Sequence, residues 1–367
     1  MKHDLSRRGF LKIAGAAGLT LGLAPELAFA AAGAEPFAPN PFVRVAPDST
    51  VTVIVKHLDK GQGIATGLTT LVAEELDADW SQMRAEFAPA DNAKYKNLFF
   101  GIEGTGGSTS MANSFEQYRL AGATARAMLV AAAAAAWGVP AGEIVVAAGA
   151  LSHASGKTGR FGDFAEAAAK LAVPASAPLK KPADFKLIGK QAHRVDTEAK
   201  ITGQPIYTQD VQLDGMVVAS VIHPPRFGAK AVKFDASEAS KVEGFLGAKI
   251  VPQGVAVYGK STWPAFKAKG LVKVEWDESK AEKRSSAEIL AEYKTLAGTP
   301  GVVAADVGST DAAFANAAKV IEQDFAFPFL AHATMEPMNA VVQVKDGRAT
   351  IWTGAQMPTI DQAVAAK

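Results

Sequence analysis

The sequence predicts a multi-domain α+β protein, and three observations carry that prediction. The chain has 367 residues, 49 % of them hydrophobic, enough for a sizeable core and long enough for two or three domains. Strand-like β-branched runs are mixed with stretches whose apolar residues recur every three or four positions. A proline-rich stretch at residues 172–185 divides the chain as a linker would.

The elements follow in order. Residues 1–30 carry a basic start, an apolar run of small residues and an Ala28-Phe29-Ala30 end, the pattern of an export signal. Within it Ser6-Arg7-Arg8-Gly9-Phe10-Leu11-Lys12 has the paired arginines of proteins exported after folding by the twin-arginine route. Residues 31–41 are expected to be a disordered lead-in, with order beginning near Phe42. VTVIVK, behind the turn signal Pro47-Asp48, predicts a strand. Ile64, Leu68, Leu71, Val72 and Leu76 mark one face of a helix. MRAEFAP predicts the next strand, followed by a glycine-rich loop through Gly107 and a helix from about Ser114 to Trp137, stopped by Gly138 and Pro140. A hairpin around Gly149-Ala150 and a short helix with Asp163 as N-cap complete this part. After the linker, residues 186–277 form an α+β pattern with turns at Gly203-Gln204 and Asp214-Gly215. Residues 278–318 are helical and charged. KVIEQDFAFPF predicts a strand, and VVQVKDGRATIWTG a hairpin turned at Asp346-Gly347.

Composition excludes several functions. The formal charge is +1, from 38 Lys and Arg against 37 Asp and Glu, so no field draws nucleic acid or an anionic membrane. The chain has no cysteine, which removes disulfides, thiolate metal sites and thiol nucleophiles; no iron–sulfur cluster is expected on this chain. No apolar run after the signal is long enough to predict a membrane span, and Ala127 to Trp137 is expected to be a buried helix.

Few motifs carry chemistry. Gly156-Lys157-Thr158 has the tail of a phosphate loop, but Leu151 stands where that motif needs glycine, so a hairpin turn is expected. GIEGTGGSTS follows no clear strand and lacks the acidic residue of a nicotinamide fold. What GTGGSTS does offer is backbone donors and the hydroxyls of Ser108, Thr109 and Ser110 before a helix, and KGQGIATG repeats the arrangement with Gly61, Gln62 and Gly63. Two such entries are either tight turns alone or a joint site for a large ligand with phosphate and amide edges. His57, His153, His193, His223 and His332 lie too far apart in sequence to make a local metal pair, and each is expected to be a packed core residue.

FVRVAPDSTVTVIVK, GQGIATGLTTLVAEELDADW, TGGSTSMANSFEQYRLAGATAR, HRVDTEAKITGQPIYTQDV, HPPRFG and AHATMEPMNA together resemble the molybdenum-binding large subunit of the xanthine dehydrogenase and aldehyde oxidase superfamily. The branch they resemble is that of the isoquinoline 1-oxidoreductase beta subunit and the exported aldehyde dehydrogenases. The resemblance implies molybdenum-binding pieces, residues 42–171 and 319–367, flanking a hammerhead-like α+β domain at 186–277, with a helical connection at 278–318. It implies that Gln62 and Gly63, with Gly107, Ser108, Thr109 and Ser110, hold a molybdopterin dinucleotide, usually the cytosine form. No side chain ligates the metal in such proteins. The chemistry implied is hydroxylation of an aldehyde or an electron-poor N-heterocycle with oxygen from water, a carboxylate taking the proton. Electrons pass to a [2Fe-2S] small subunit and often to c-type cytochromes; the place implied is the periplasm, with membrane attachment through a partner.

Two departures qualify this. The family's catalytic glutamate sits in a GVGE-like motif near the far C-terminus, which is absent here, so no catalytic residue is assigned. The last 49 residues are expected to be the incomplete start of a further domain, and the polypeptide alone to be inactive. Phe329 and Leu330 stand where xanthine-type relatives have Gly-Gln. In FLAHATMEPMNA, His332 and Glu336 are expected to bond backbone behind the molybdenum centre, with Met335 and Met338 packing. The alternative from another class is a non-catalytic exported cofactor-binding or assembly protein of the same fold.

Overall fold

The computed structural model describes residues 36–190 and 193–367. The expected export signal and the first part of the lead-in lie outside the described residues. The described chain forms two compact units, one running to Thr208 and resuming at Ala340–Lys367, the other Gln209–Asn339.

The first unit is built on a four-stranded sheet of β1 (Phe37–Asn40), β2 (Val43–Val45), β3 (Val51–Val55) and β4 (Met83–Phe87), in that order. The first three pair antiparallel, while β3 and β4 are parallel with Val51 opposite Met83. A parallel pair needs a crossover. Helix α1 (Ile64–Leu76) supplies it, burying Ile64, Leu68, Leu71, Val72 and Leu76 as the spacing predicts. Order begins earlier than Phe42: Phe37 is 1 % exposed in the core, and Asn40 Nδ2 donates to the Ala121 carbonyl at 3.1 Å.

Helix α2 (Phe115–Trp137) packs along α1. By length and composition alone it would suffice to cross a membrane, a longer apolar element than the sequence suggested. Its side chains place it in the core instead: Tyr118, Ala121, Ala125, Met128, Leu129, Ala132 and Ala133 are all buried there. The contact is close because Gly122 has no side chain; a Cβ there would lie 2.7 Å from the Val72 carbonyl oxygen.

A second sheet, β5 (Val145–Ala147), β6 (Ala150–Ser152) and β7 (Thr158–Arg160), forms a meander. Gly156-Lys157 turns between β6 and β7, closed by His153 N–H to the Lys157 carbonyl at 2.9 Å. Helix α3 (Phe161–Ala169) follows. Asp163 is not its N-cap. The helix starts three residues earlier, with Arg160 as N-cap, because Phe161 is drawn wholly into the core, leaving Asp163 at the third position to accept from Arg160 N–H at 2.7 Å.

The stretch 172–185 also departs from a free linker. Lys180 Nζ reaches Glu74 Oε1 at 3.0 Å and Asp77 Oδ1 at 2.8 Å, and its N–H donates to Glu75 Oε2 at 3.0 Å. Glu74 further accepts the N–H groups of Lys186, Leu187 and Ile188 at 2.9, 2.6 and 3.0 Å. Buried carboxylates at the end of α1 need donors, and this segment provides them. The compact unit therefore continues through Thr208.

The second unit holds β8 (Val218–Ile222), β9 (Lys230–Asp235), β10 (Phe245–Val251), β11 (Gly254–Gly259), helix α4 (Thr262–Lys269) and β12 (Lys273–Asp277). The strands form a β10-β11-β8 sheet and a β12-β9 pair. Ala265 and Ala268 of α4 are buried, and Ala268 joins Ala239 and Val257 in a small core. Helices α5 (Ser286–Ala297) and α6 (Thr310–Ala315) realise the charged helical stretch. The strand expected in KVIEQDFAFPF is not formed. Among the described residues its alternation has no neighbouring strand to complete a ladder, and Phe325 and Phe327 are 76 % and 82 % exposed.

The chain then returns to the first unit as the hairpin β13 (Ala340–Lys345) and β14 (Arg348–Thr353), turned at Asp346-Gly347 with both φ positive, and ends in helix α7 (Pro358–Ala365).

Candidate functional site

The site is built where β3 runs out beside the first turn of α2. Tyr118 donates to the Ile54 carbonyl at 2.7 Å and accepts Lys56 N–H at 3.0 Å, fixing the strand end to the helix. Lys56 is 3 % exposed, and its Nζ contacts Asn113 Oδ1 at 2.9 Å, Gln117 Oε1 at 2.6 Å and the Lys96 carbonyl at 3.4 Å. None of these acceptors is a carboxylate, so burial pushes the ammonium down to about 8. Because Asn113 turns its oxygen to Lys56, its Nδ2 faces His57 Nε2 at 3.3 Å, with Ser114 Oγ at 3.1 Å. That network assigns His57 the tautomer with its proton on Nδ1. Burial first and the neighbouring Lys56 charge second push the imidazole down to about 4, against a smaller opposing effect of the Gly104 backbone. His57 is therefore neutral at pH 7, and its buried Nδ1 meets no partner at hydrogen-bond geometry. It is a packed core histidine, as expected.

The first glycine loop lies directly after this floor. Gly61 and Gly63 have φ of 107° and 86°, a region that favours glycine. Gln62 is exposed and turned into its own loop, Oε1 accepting Lys60 N–H at 2.7 Å and Nε2 donating to the Leu58 carbonyl at 2.7 Å. The helix entry expected to receive an external anion already has one: Asp59 accepts from Gly61 N–H at 2.9 Å, Gly63 N–H at 3.4 Å and Ala65 N–H at 3.1 Å. The sequence signal was present, an aspartate just ahead of the helix start. Arg194 closes the loop from outside, donating to the Gly61 carbonyl at 3.3 Å.

The second loop is different. Asn97, fully buried, holds it from below by donating to the Gly104 carbonyl at 3.2 Å and Thr109 Oγ1 at 2.8 Å. Thr109 in turn donates to the Gly106 carbonyl at 2.8 Å, so its hydroxyl serves the loop's own shape. Gly107 and Ser108 both take positive φ, 57° and 54°. Among the described residues, the N–H groups of Gly106, Gly107, Ser108 and Ser110 and the hydroxyls of Ser108 and Ser110 meet no partner. Successive free donors of this kind make an anion-binding concavity. They do not belong to a helix terminus, since α2 starts only at Phe115.

The structure brings the two loops together: Leu58 N–H donates to Thr105 Oγ1 at 2.9 Å, and a Cβ on Gly67 would touch Met111. A group with phosphates and amide edges fits this surface. The second loop supplies unpaired donors, and the space over Gly61 and Gly63 is open, with nothing within 4 Å of either would-be Cβ. Asp59, Asn97 and Thr105 were not singled out by the sequence, because their roles rest on contacts no local pattern encodes.

FLAHATMEPMNA lies in the second unit up to Asn339, its last residue Ala340 opening the return to the first. Glu336 does accept a backbone N–H, from Gln209 at 3.0 Å. The expected packing of its methionines is not found: Met335 and Met338 are 99 % and 97 % exposed, and His332 is exposed too, because no element of the unit covers this irregular segment.

Two family models, each described as a molybdopterin cofactor-binding domain, match residues 14–221 and residues 296–367. The chain belongs to the molybdopterin cofactor-binding family. This molybdopterin-binding chain is 32 % identical to the isoquinoline 1-oxidoreductase beta subunit of Brevundimonas diminuta, covering 99 % of itself and 53 % of that protein. It is 30 % identical to a membrane-bound pyrroloquinoline-quinone aldehyde dehydrogenase of Gluconacetobacter polyoxogenes, covering 97 % and 48 %. With a nicotinate dehydrogenase polypeptide of Pseudomonas putida it shares 27 % identity over 88 % and 27 %. It thus spans about half the length of the first two and less of the third. These names support the xanthine dehydrogenase and aldehyde oxidase superfamily and an α+β multi-domain architecture. Among solved structures, quinoline 2-oxidoreductase from Pseudomonas putida 86 is 20 % identical over 47 % of this chain and 27 % of its own, with a TM-score of 0.34. The Cu,Mo carbon monoxide dehydrogenase is 18 % identical over 24 % and 15 %, with a TM-score of 0.21.

Proposed function

We propose that this molybdopterin-binding chain is part of the large subunit of a molybdenum hydroxylase that oxidises an aldehyde or an N-heterocycle with oxygen from water. The observation that carries the reading is the group of unpartnered donors on Gly106, Gly107, Ser108 and Ser110, set beside the GQG loop by the bond from Leu58 to Thr105. Gly107, Ser108 and Ser110 would offer N–H and hydroxyl donors to phosphates, Thr109 keeps the loop in shape, and Gln62, whose amide braces the GQG loop, would with Gly63 hold the open surface that receives the pterin. When bound, the cofactor supplies the redox chemistry and the activated oxygen. The chain's residues bind and orient it, and the neutral His57 beneath the loops adds no charge to the floor. No residue here is assigned as the base.

The cytosine dinucleotide form, a [2Fe-2S] small subunit as electron acceptor, onward transfer to a c-type cytochrome, and periplasmic export through the twin-arginine signal of residues 1–30 belong to the same proposal. They are supported by the family and by the signal pattern. The test is metal and nucleotide analysis of the protein purified from its native host with the subunits it carries. One molybdenum and one cytidine nucleotide per chain are expected. Absence of both would overturn the reading in favour of a cofactor-free assembly role.

A further inference from the structure

Thr105 is where three stretches distant in sequence meet. It is 4 % exposed, and each of its polar groups is engaged. Its hydroxyl accepts Leu58 N–H at 2.9 Å, its N–H donates to the Gln356 carbonyl at 3.0 Å, and its own carbonyl accepts Gln356 Nε2 at 2.6 Å. The Leu58 carbonyl accepts Gln62 Nε2. An unbroken line of hydrogen bonds therefore runs from Gln62, through Leu58 and Thr105, to Gln356. The same C-terminal stretch lies along the loop at further points. Gln356 Nε2 is 3.6 Å from where a Cβ on Gly106 would sit, Met357 Cγ is 3.4 Å from that of Gly104, and Thr359 Oγ1 is 3.0 Å from Asn92 Oδ1, which also accepts Glu103 N–H. Residue 105 falls in the family match at 14–221, and residue 356 in the one at 296–367.

The geometry points to Gln356 as a positioning residue for the cofactor: with Thr105 it forms a clasp that holds the donor loop 104–110 against the GQG loop before anything binds. The inference rests on the proposed function. Its physical basis is the loop's composition. Gly101, Gly104, Gly106 and Gly107 give this segment wide backbone freedom in the absence of tertiary restraint. A loop that had to order itself on binding would lose affinity to that ordering, and one ordered beforehand does not. The reciprocal pair of bonds between residues 105 and 356 acts on the backbone of the loop, which side-chain contacts at its tip would not do. Neither residue needs to touch the cofactor.

The test uses the purified complex of the full chain with its partner subunits, as wild type, Gln356→Leu, Thr105→Val and Thr105→Ser. The last keeps the hydroxyl that Leu58 needs and serves as the rescue. Cofactor loss on prolonged dialysis is followed by molybdenum content and released-pterin fluorescence. Amide hydrogen exchange of residues 104–110 is followed in protein made without cofactor. Gln356→Leu and Thr105→Val should lose cofactor about tenfold faster, as expected when a hydrogen-bonded pair is lost. They should also exchange faster across 104–110 while β3 and α1 are unchanged, and Thr105→Ser should match wild type in both. Wild-type exchange at 104–110 in Gln356→Leu, or wild-type cofactor retention in both disruptive variants, would overturn the clasp. So would a uniform rise in exchange across the unit, which marks a merely structural role. If the wild-type complex itself holds no molybdenum, the proposed function fails, and the exchange data still decide the clasp.

Discussion

His57 sits one residue beyond a buried lysine, and its own burial together with that lysine's charge makes a proton on the imidazole hard to hold. In the unfolded chain a histidine titrates near 6.5, whereas in the fold His57 stays neutral down to about 4. Below 6.5 the unfolded state therefore binds a proton that the native state refuses, so stability falls as pH drops from 6.5 towards 4. The size of that loss is on the order of 3 kcal/mol when the whole window is crossed. His57→Gln should flatten the acid limb of a melting-temperature profile between those values, and an unchanged limb would refute the assignment. Ser108 allows a different residue-scale test. It holds φ of 54° and is exposed, and aspartate tolerates that conformation. Ser108→Asp should keep the melting temperature within about 1 °C, since exposed substitutions usually have small effects, yet strip the cofactor because its carboxylate meets the phosphates. Retained molybdenum at wild-type occupancy would remove Ser108 from the site. At this scale the sequence showed which residues stand in the loops but not which donors are free. Asp59 takes the donors of the first loop and leaves those of the second, and spacing alone does not say so.

Among the elements, those whose pattern is local were legible. Helix α1 follows its apolar spacing, and β3 and the hairpin at Asp346-Gly347 lie where β-branched runs and a turn signal put them. What was not legible depends on a partner. The alternation in KVIEQDFAFPF is that of a strand, but pairing needs a neighbour and none is present among the described residues. The prolines and lysines at 172–185 have linker composition, yet the buried acids Glu74 and Asp77 convert Lys180 into an anchor. Gly122 shows the same dependence and can be tested. In an isolated helix, glycine to alanine gains roughly 1 kcal/mol. Here the new methyl would meet the backbone of α1 at Val72, and overpacking of that kind costs about 1–3 kcal/mol. Gly122→Ala should lower the thermal midpoint, and a rise would mean that α1 and α2 do not approach as described.

On the scale of the whole molecule, the first unit is discontinuous: the chain leaves it after Thr208 and comes back at Ala340. Everything in that unit's core comes from the early part of the chain, including the sheet β1 to β4, α1 and α2. What arrives late is the segment that fastens the donor loop. Thr105 and Gln356 are 251 residues apart, and a ribosome adds about 5–20 residues each second, so the interval between their appearances is roughly 10 to 50 seconds. During that time the core of the unit can form while the loop beside it stays unfastened. The order in which the gene is read thus separates two events: the core of the unit can fold well before the stretch that fastens its donor loop has been made, and residue 356 marks the point at which that fastening becomes available.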